Sequence, residues 1–306
     1  EDHVVGVGAG ETYGIGIRVI ADGAWGFAAT GNLAGTSVEE TARKAVAIAK
    51  AARPALKKPV ALAPVAPAKG TWRTSAELDP FNVPLKDKAE WLLALWPLVK
   101  DVPNVKFASG SINAMSEHKL FASSEGTLVE QSQIRIMPAF SVTAVDAGQF
   151  ESRAAEVPPM QAGWEYVTQC SIPKNAKSLA EDAVKKLKAA SVTPGKKDLI
   201  LAPSNLWLTI HESVGHPTEL DRIMGLEANF AGTSFITPDK IGKLEYASKI
   251  VTLYADKTVA GGLASCQWDD DGVPTQKWDL VKDGVLVGVQ TTRDQAAWIG
   301  EKESRG

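Results

Sequence analysis

Four histidines occur in this 306-residue chain, and two of them fall in one short stretch, His211-Glu212-Ser213-Val214-Gly215-His216. Two neutral imidazoles can ligate zinc, and a neighbouring carboxylate can take a proton from a water that the ion acidifies. Glu212 follows the first histidine directly. The pattern has the logic of the His-Glu-x-x-His helix of zinc peptidases, with one residue inserted. His211 and His216 are therefore candidate metal ligands, and Glu212 is the candidate general base.

The insertion sets a geometric problem. On an α-helix, positions four apart differ by about 40° in direction, while positions five apart differ by about 140°. A straight helix cannot aim both rings at one ion. Gly215 is a poor helix former, and Pro217 disfavours helical geometry at His216. A kink, a π-type bulge or a helix end near Gly215 would bring the second ring round. Upstream, the run Leu206, Trp207, Leu208 and Ile210 reads as the body of the motif helix, with Ser204 as its N-cap. The preceding Leu199-Ile200-Leu201-Ala202-Pro203 reads as a buried strand. A strand, a short turn and then a helix would place His211 at the second or third turn of a supported element.

Beyond the histidines, Glu219 and Asp221 are candidates to orient the imidazoles, or else to pair with Arg222. Asp269, Asp270 and Asp271 resemble a metal cluster only in composition, and with Gly272 they read as a solvated hairpin turn. His118 lies in a strand pattern and reads as structural. Trp25, Trp91, Trp96 and Trp207, four of the nine tryptophans, occupy core-type positions.

The stretch HESVGHPTELDR, running on into GLEANFAGTSF, resembles the TldD/PmbA family of peptidases, also called modulator-of-gyrase proteins. Similar pieces follow the family's order: GIGIRVIADGAWGFAAT at 14–30, TWRTSAELDPF at 71–81, WDDDGVPTQ at 268–276 and TRDQAAWIGEKESRG at 292–306. The resemblance covers nearly the whole chain. It implies a zinc-dependent peptidase acting on unfolded peptides or small protein substrates. It also implies a paired assembly with a related subunit, this chain being the active member because His211-Glu212 and His216 are intact. The family's third metal ligand is a cysteine near the C-terminus, for which no match is found. Cys266 is the one cysteine in the expected catalytic region, and it is either that ligand or a small buried residue.

Composition narrows the alternatives. Charged residues make up 23% and apolar residues 44%, ordinary for a globular protein, and the net charge of −3 with no basic stripe argues against nucleic-acid binding. Two cysteines cannot form a disulfide framework, and a reducing, cytoplasmic setting is expected. No apolar run of membrane-spanning length and no signal-peptide pattern is visible. The chain begins at Glu1 without an initiator methionine and ends in a polar run, so a fragment is expected.

In chain order, 14–30 reads as a hairpin turning at Asp22-Gly23. Ser37 and Glu40 read as a capping box for a helix over 38–52, followed by a Pro/Ala-rich connector. A helix is expected at 85–100, a β-rich block at 104–157, and a helix over 178–190 opened by Ser178 and Glu181. After a boundary at 191–198, short strands surround the motif helix. The expected fold is α+β with two domains: an N-terminal mixed α/β domain, 1–194, and a C-terminal β-rich, barrel-like domain, 195–306, that carries the metal-binding helix. Two other readings stand beside the peptidase. One is a non-catalytic partner or scaffold subunit. The other is a structural zinc site, which would need four closed protein ligands and lacks a second convincing pair.

Overall fold

The computed structural model describes residues 3–305. The chain divides into two compact units, one of Gly6–Val65 with Thr291–Ser304, the other built on Ala66–Gln290.

In the smaller unit, β1 (Ile15–Ala21) and β2 (Ala24–Thr30) form an antiparallel hairpin. Its two turn residues both have positive φ, 52° at Asp22 and 77° at Gly23, the geometry that selects Asp-Gly. Helix α1 (Gly35–Ala52) buries Thr41, Ala45 and Ala49, a stripe spaced by four residues. At Gly26 of β2 a Cβ would lie 2.0 Å from the Ala45 carbonyl oxygen, so the close approach of α1 requires glycine there. The helix starts earlier than its Ser37–Glu40 pattern predicts. Asn32 Oδ1 accepts the Ala34 amide at 3.0 Å and turns the chain into the helix, leaving Ser37 inside the first turn, 3.2 Å from Thr30 Oγ1. The distant segment closes this unit: Arg293 donates through Nε to the Ala63 carbonyl at 2.8 Å, and Trp25 Nε1 donates to Asp294 Oδ2 at 3.1 Å.

The larger unit is organised by a long hairpin, β4 (Val105–Ala122) and β5 (Leu128–Asp146). β3 (Lys69–Arg73) lies parallel to β5, and β6 (Gln149–Ala154) pairs antiparallel with its far end. Helix α2 (Leu85–Leu93) stops short of the expected residue 100, because Pro97 cannot continue it, and a 3₁₀ turn at Trp96–Leu98 follows. The next long helix, α3 (Ile172–Leu187), begins six residues before Ser178. Pro173 sits in its first turn, where a missing N–H is tolerated, and Ser178 bonds back to the Asn175 carbonyl instead of capping. Ile172, Ala176 and Ala180 of α3 pack with Leu95, Val99, Val105, Phe140 and Val142 in the principal core.

β5 also presents Gln131 and Gln133, both buried. Their carboxamides, with those of Gln161 and the guanidinium of Arg135, hold the main chain of 262–268. Gln131 donates to the Trp268 carbonyl at 3.0 Å and accepts the Gln267 and Trp268 amides, Gln133 reaches Ser265 O at 3.1 Å, and Arg135 reaches Leu263 O at 3.0 Å.

The strands after the motif form an open sheet of β7 (Leu253–Asp256), β8 (Lys277–Lys282) and β9 (Val285–Leu286), not the expected barrel. The physical reason lies after Leu286. Val287 still donates to Leu280, but the chain then leaves β8, and Gln290 exchanges backbone bonds with Thr218 and Leu220 beside the histidine motif. The backbone groups that would extend a barrel strand are used on the motif. The architecture is thus a mixed α/β chain with several open sheets.

Candidate metal centre

The motif helix is α4 (Pro203–Ile210). Ala202 occupies its N-cap without a side-chain cap, Pro203 begins it, and Ser204 Oγ instead donates to Glu156 Oε2 at 3.1 Å. The segment before it is not a buried strand. Leu199, Ile200 and Leu201 are exposed and without regular structure, because no strand among the described residues pairs with them. Trp207 is likewise 66% exposed rather than in a core.

At His211 the helix changes pitch. Residues His211–Gly215 form a π-turn, in which the His216 amide donates to the His211 carbonyl, and a 3₁₀ turn at His216–Thr218 follows. Closing the bond one residue later than an α-helix does brings the chain back over its start after five residues. That resolves the mismatch set by the five-residue spacing. The two imidazole rings lie 4.3 Å apart between centroids at 76°. One donor atom each from His211, Glu212 and His216 lie within 4.8 Å of one another, the one such group of three among the described residues.

The flanking residues fix His216. Glu219 Oε1 lies 3.1 Å from its Nδ1, while Glu219 Oε2 accepts from Arg222 Nε at 3.0 Å. Arg222 also donates to the Ala231 carbonyl at 2.6 Å and has Nη2 3.3 Å from the same Nδ1. An Nδ1–H donated to the carboxylate leaves Nε2 of His216 with its lone pair free for a cation, and this tautomer is the one a metal selects. Glu219 thus contacts both the histidine and the arginine. Asp221 does not reach the imidazoles; its Oδ1 accepts the Arg222 amide at 2.6 Å.

The donor set suits a divalent ion. Two imidazole nitrogens and a carboxylate converge, His211 and Glu212 are exposed, and His216 is about one-third exposed on its side chain, so one side stays open to solvent. Cys266 stands outside this group. It lies among the charges of Lys257, Lys119, Asp269 and Asp270, and burial pushes its thiol pKa up, away from the thiolate that a metal prefers. Asp269 lies in a hairpin turn, its Oδ1 accepting the Asp271 and Val273 amides at 2.9 and 2.8 Å. His118 pairs with Glu130 at 2.8 Å on the β4–β5 hairpin. Thr218, Tyr246 and Gln290 also touch the π-turn. Thr218 follows the motif closely, but nothing local in sequence points to the other two.

Fold and site together define a mixed α/β chain with a candidate His-Glu-x-x-x-His metal centre. Comparison with known proteins makes this specific. Residues 194–305 match the PmbA/TldA metallopeptidase C-terminal domain, 78–190 the central domain and 2–49 domain 1. A metalloprotease of Methanothermobacter thermautotrophicus is 28% identical over 306 residues, covering 97% of this chain and 62% of that protein. A metalloprotease TldD homolog of Haemophilus influenzae is 26% identical, covering 94% of this chain and 58% of its own length. Among solved structures, a candidate modulator of DNA gyrase from Thermotoga maritima superposes with a TM-score of 0.74 at 17% identity, covering 96% of this chain and 63% of that one. TldE from Thermococcus kodakarensis superposes at 0.58 with 20% identity, covering 94% and 62%. This chain belongs to the PmbA/TldD metallopeptidase family, which implies a metal ion. It spans about three fifths of the length of the curated relatives it matches. No helix among the described residues is long and apolar enough to cross a membrane.

Proposed function

We propose that this chain is the metal-binding part of a zinc-dependent peptidase acting on unfolded peptides or small proteins, with its metal-binding domain starting near residue 195. The observation that carries the reading is the π-turn, which sets His211 and His216 ring against ring with Glu212 beside them. His211 and His216 would hold the ion, and Glu219 would orient His216 through its Nδ1–H. Zinc, when bound, supplies Lewis-acid polarisation of the scissile carbonyl and a water acidified to near neutral pH. Glu212 takes the proton of the attacking water and returns it to the leaving amine. The resemblance to TldD/PmbA proteins, and the TldE neighbour, support a related subunit as partner, and a cytoplasmic setting fits the two unpaired cysteines.

One observation favours a second reading, a non-catalytic partner subunit. No cysteine joins the His211–Glu212–His216 group, so the third protein ligand usual in catalytic zinc sites is not supplied there. Elemental analysis and peptide hydrolysis separate the two. The peptidase reading expects about one zinc per chain, lost in His211→Ala, and a Glu212→Gln variant that keeps zinc and fold but loses hydrolysis. Zinc-replete, folded protein with no bound metal would refute it.

A further inference from the structure

A π-turn at the end of a helix has a cost that the sequence motif does not reveal. The last carbonyls of a helix have no intrahelical donor, and a lengthened turn misaligns them further. Buried carbonyls without donors are destabilising, so the turn survives only if other groups supply N–H or O–H. In this chain each carbonyl of the turn's second half has a side-chain donor. Tyr246 donates its hydroxyl to Ser213 O. Thr218 Oγ1 donates to Val214 O at 2.7 Å. Gln290 Nε2 donates to Gly215 O at 2.6 Å and to Thr218 Oγ1 at 3.0 Å.

The accounting is complete at the level of hydrogens. A carboxamide nitrogen has two N–H groups, and the two acceptors use both. A hydroxyl has one hydrogen, and with Gln290 donating to its oxygen, Thr218 turns that hydrogen toward the neighbouring carbonyls of Val214 at 2.7 Å and Gly215 at 3.1 Å. A carbonyl can only accept, so the orientation of the Gln290 amide is fixed by Gly215. Gln290 is itself pinned: its backbone N–H donates to Thr218 O at 2.8 Å, and its carbonyl accepts the Leu220 amide at 3.0 Å. Thr218 is fully buried, so this relay is shielded from competing water.

We propose that Gln290, acting through Thr218 and supported by Tyr246, positions the metal-binding pair by holding the π-turn against relaxation to an α-helix. None of the three would touch the ion. Were the turn to tighten to α-helical pitch, His216 would point about 140° away from His211 and the donors would diverge. This rests on the zinc reading above, and the experiment keeps the two apart.

The test is zinc affinity by competition with a chromogenic chelator, on the full chain, alongside thermal melting. The variants are Gln290→Leu, Thr218→Val, Thr218→Ser and Tyr246→Phe, with His211→Ala as the control. Gln290→Leu and Thr218→Val are expected to weaken zinc by about 10- to 100-fold, as loss of ligand-orienting contacts does elsewhere. Thr218→Ser, which keeps the hydroxyl, should stay within about threefold of the parent, a rescue that a purely structural loss of stability would not produce. Tyr246→Phe removes one oxygen from a part-exposed side chain and remains foldable if the buried variants do not; it should weaken zinc several-fold. Zinc affinities of Gln290→Leu and Tyr246→Phe within about threefold of the parent, with His211→Ala losing the metal, would overturn the positioning role alone. A parent that binds zinc no better than His211→Ala would overturn both proposals.

Discussion

Replacing Glu219 by alanine separates its two contacts. The carboxylate lies 3.1 Å from His216 Nδ1 and accepts from Arg222 Nε at 3.0 Å. Removing the first contact frees the ring to rotate and to change tautomer, which typically costs about 10- to 100-fold in metal affinity, or roughly 1.4–2.7 kcal/mol. Removing the second leaves a guanidinium only 15% exposed with the Ala231 carbonyl and His216 Nδ1, 3.3 Å from Nη2, as its remaining close neighbours, a loss of about 1–3 kcal/mol in stability. The two costs appear in different assays: zinc competition reads the first, and denaturant melts of metal-free protein read the second. Glu219→Gln keeps an acceptor for the imidazole but presents an uncharged amide to Arg222, so it should lose more stability than zinc affinity. The reasoning fails if Glu219→Ala is destabilised while its zinc affinity stays within about threefold of the parent. Glu219 would then serve only as the counter-ion of Arg222.

Three further outcomes are expected. Gly26→Ala sets a methyl 2.0 Å from Ala45 O and should cost about 1–3 kcal/mol in thermal or denaturant melts, whereas an equally stable variant would mean α1 can lift off β2. The Glu165 carboxyl is raised by burial, but amides including those of Gly163 and Leu78 outweigh that and hold its pKa below the usual value. Its stabilisation is therefore present above about pH 4.3 and is lost as pH falls through the lowered folded value, a slope that should flatten in Glu165→Gln melts across that range. Burial raises the Asp269 pKa against its amide bonds, so the stability from its protonated form is present below about pH 3.9 and is lost as pH rises through the raised value. Asp269→Asn, which keeps the Oδ1 acceptor, should melt no lower than the parent at neutral pH, and parallel pH profiles for the two proteins would contradict this account.

How much of this was legible in the sequence follows the range of each interaction. The Asp22-Gly23 hairpin and the need for a relaxed helix before His216 could be read because turn chemistry and helical angle are local. The start of α1 was misplaced because Asn32, a few residues upstream, offered an earlier turn than Ser37. Period-2 alternation placed β5, yet it could not tell that Gln131 and Gln133 face inward, since their partners lie more than 130 residues away. The run Leu199–Leu201 has strand-like composition, but a strand exists only with a partner. The barrel failed for the same reason: Val287–Gln290 has the composition of a strand, and its hydrogen bonds go to Leu280, Thr218 and Leu220. At the centre, His211, Glu212 and His216 were identifiable by type and spacing. Tyr246 and Gln290 were not, because they reach the turn from 33 and 75 residues further on.

The discontinuous smaller unit has a consequence for synthesis. Ala63 and Arg293, which bond to each other, are 230 residues apart. At about 5–20 residues per second, a ribosome delivers the second roughly 12–46 s after the first. Throughout that interval the hairpin and α1 are complete in sequence but lack the segment that closes them. By contrast, the β4–β5 hairpin is contiguous and can form as soon as it emerges. A nascent chain of this protein thus holds residues 6–65 unfinished while the larger unit is made, the stage at which chaperones or proteases would find them.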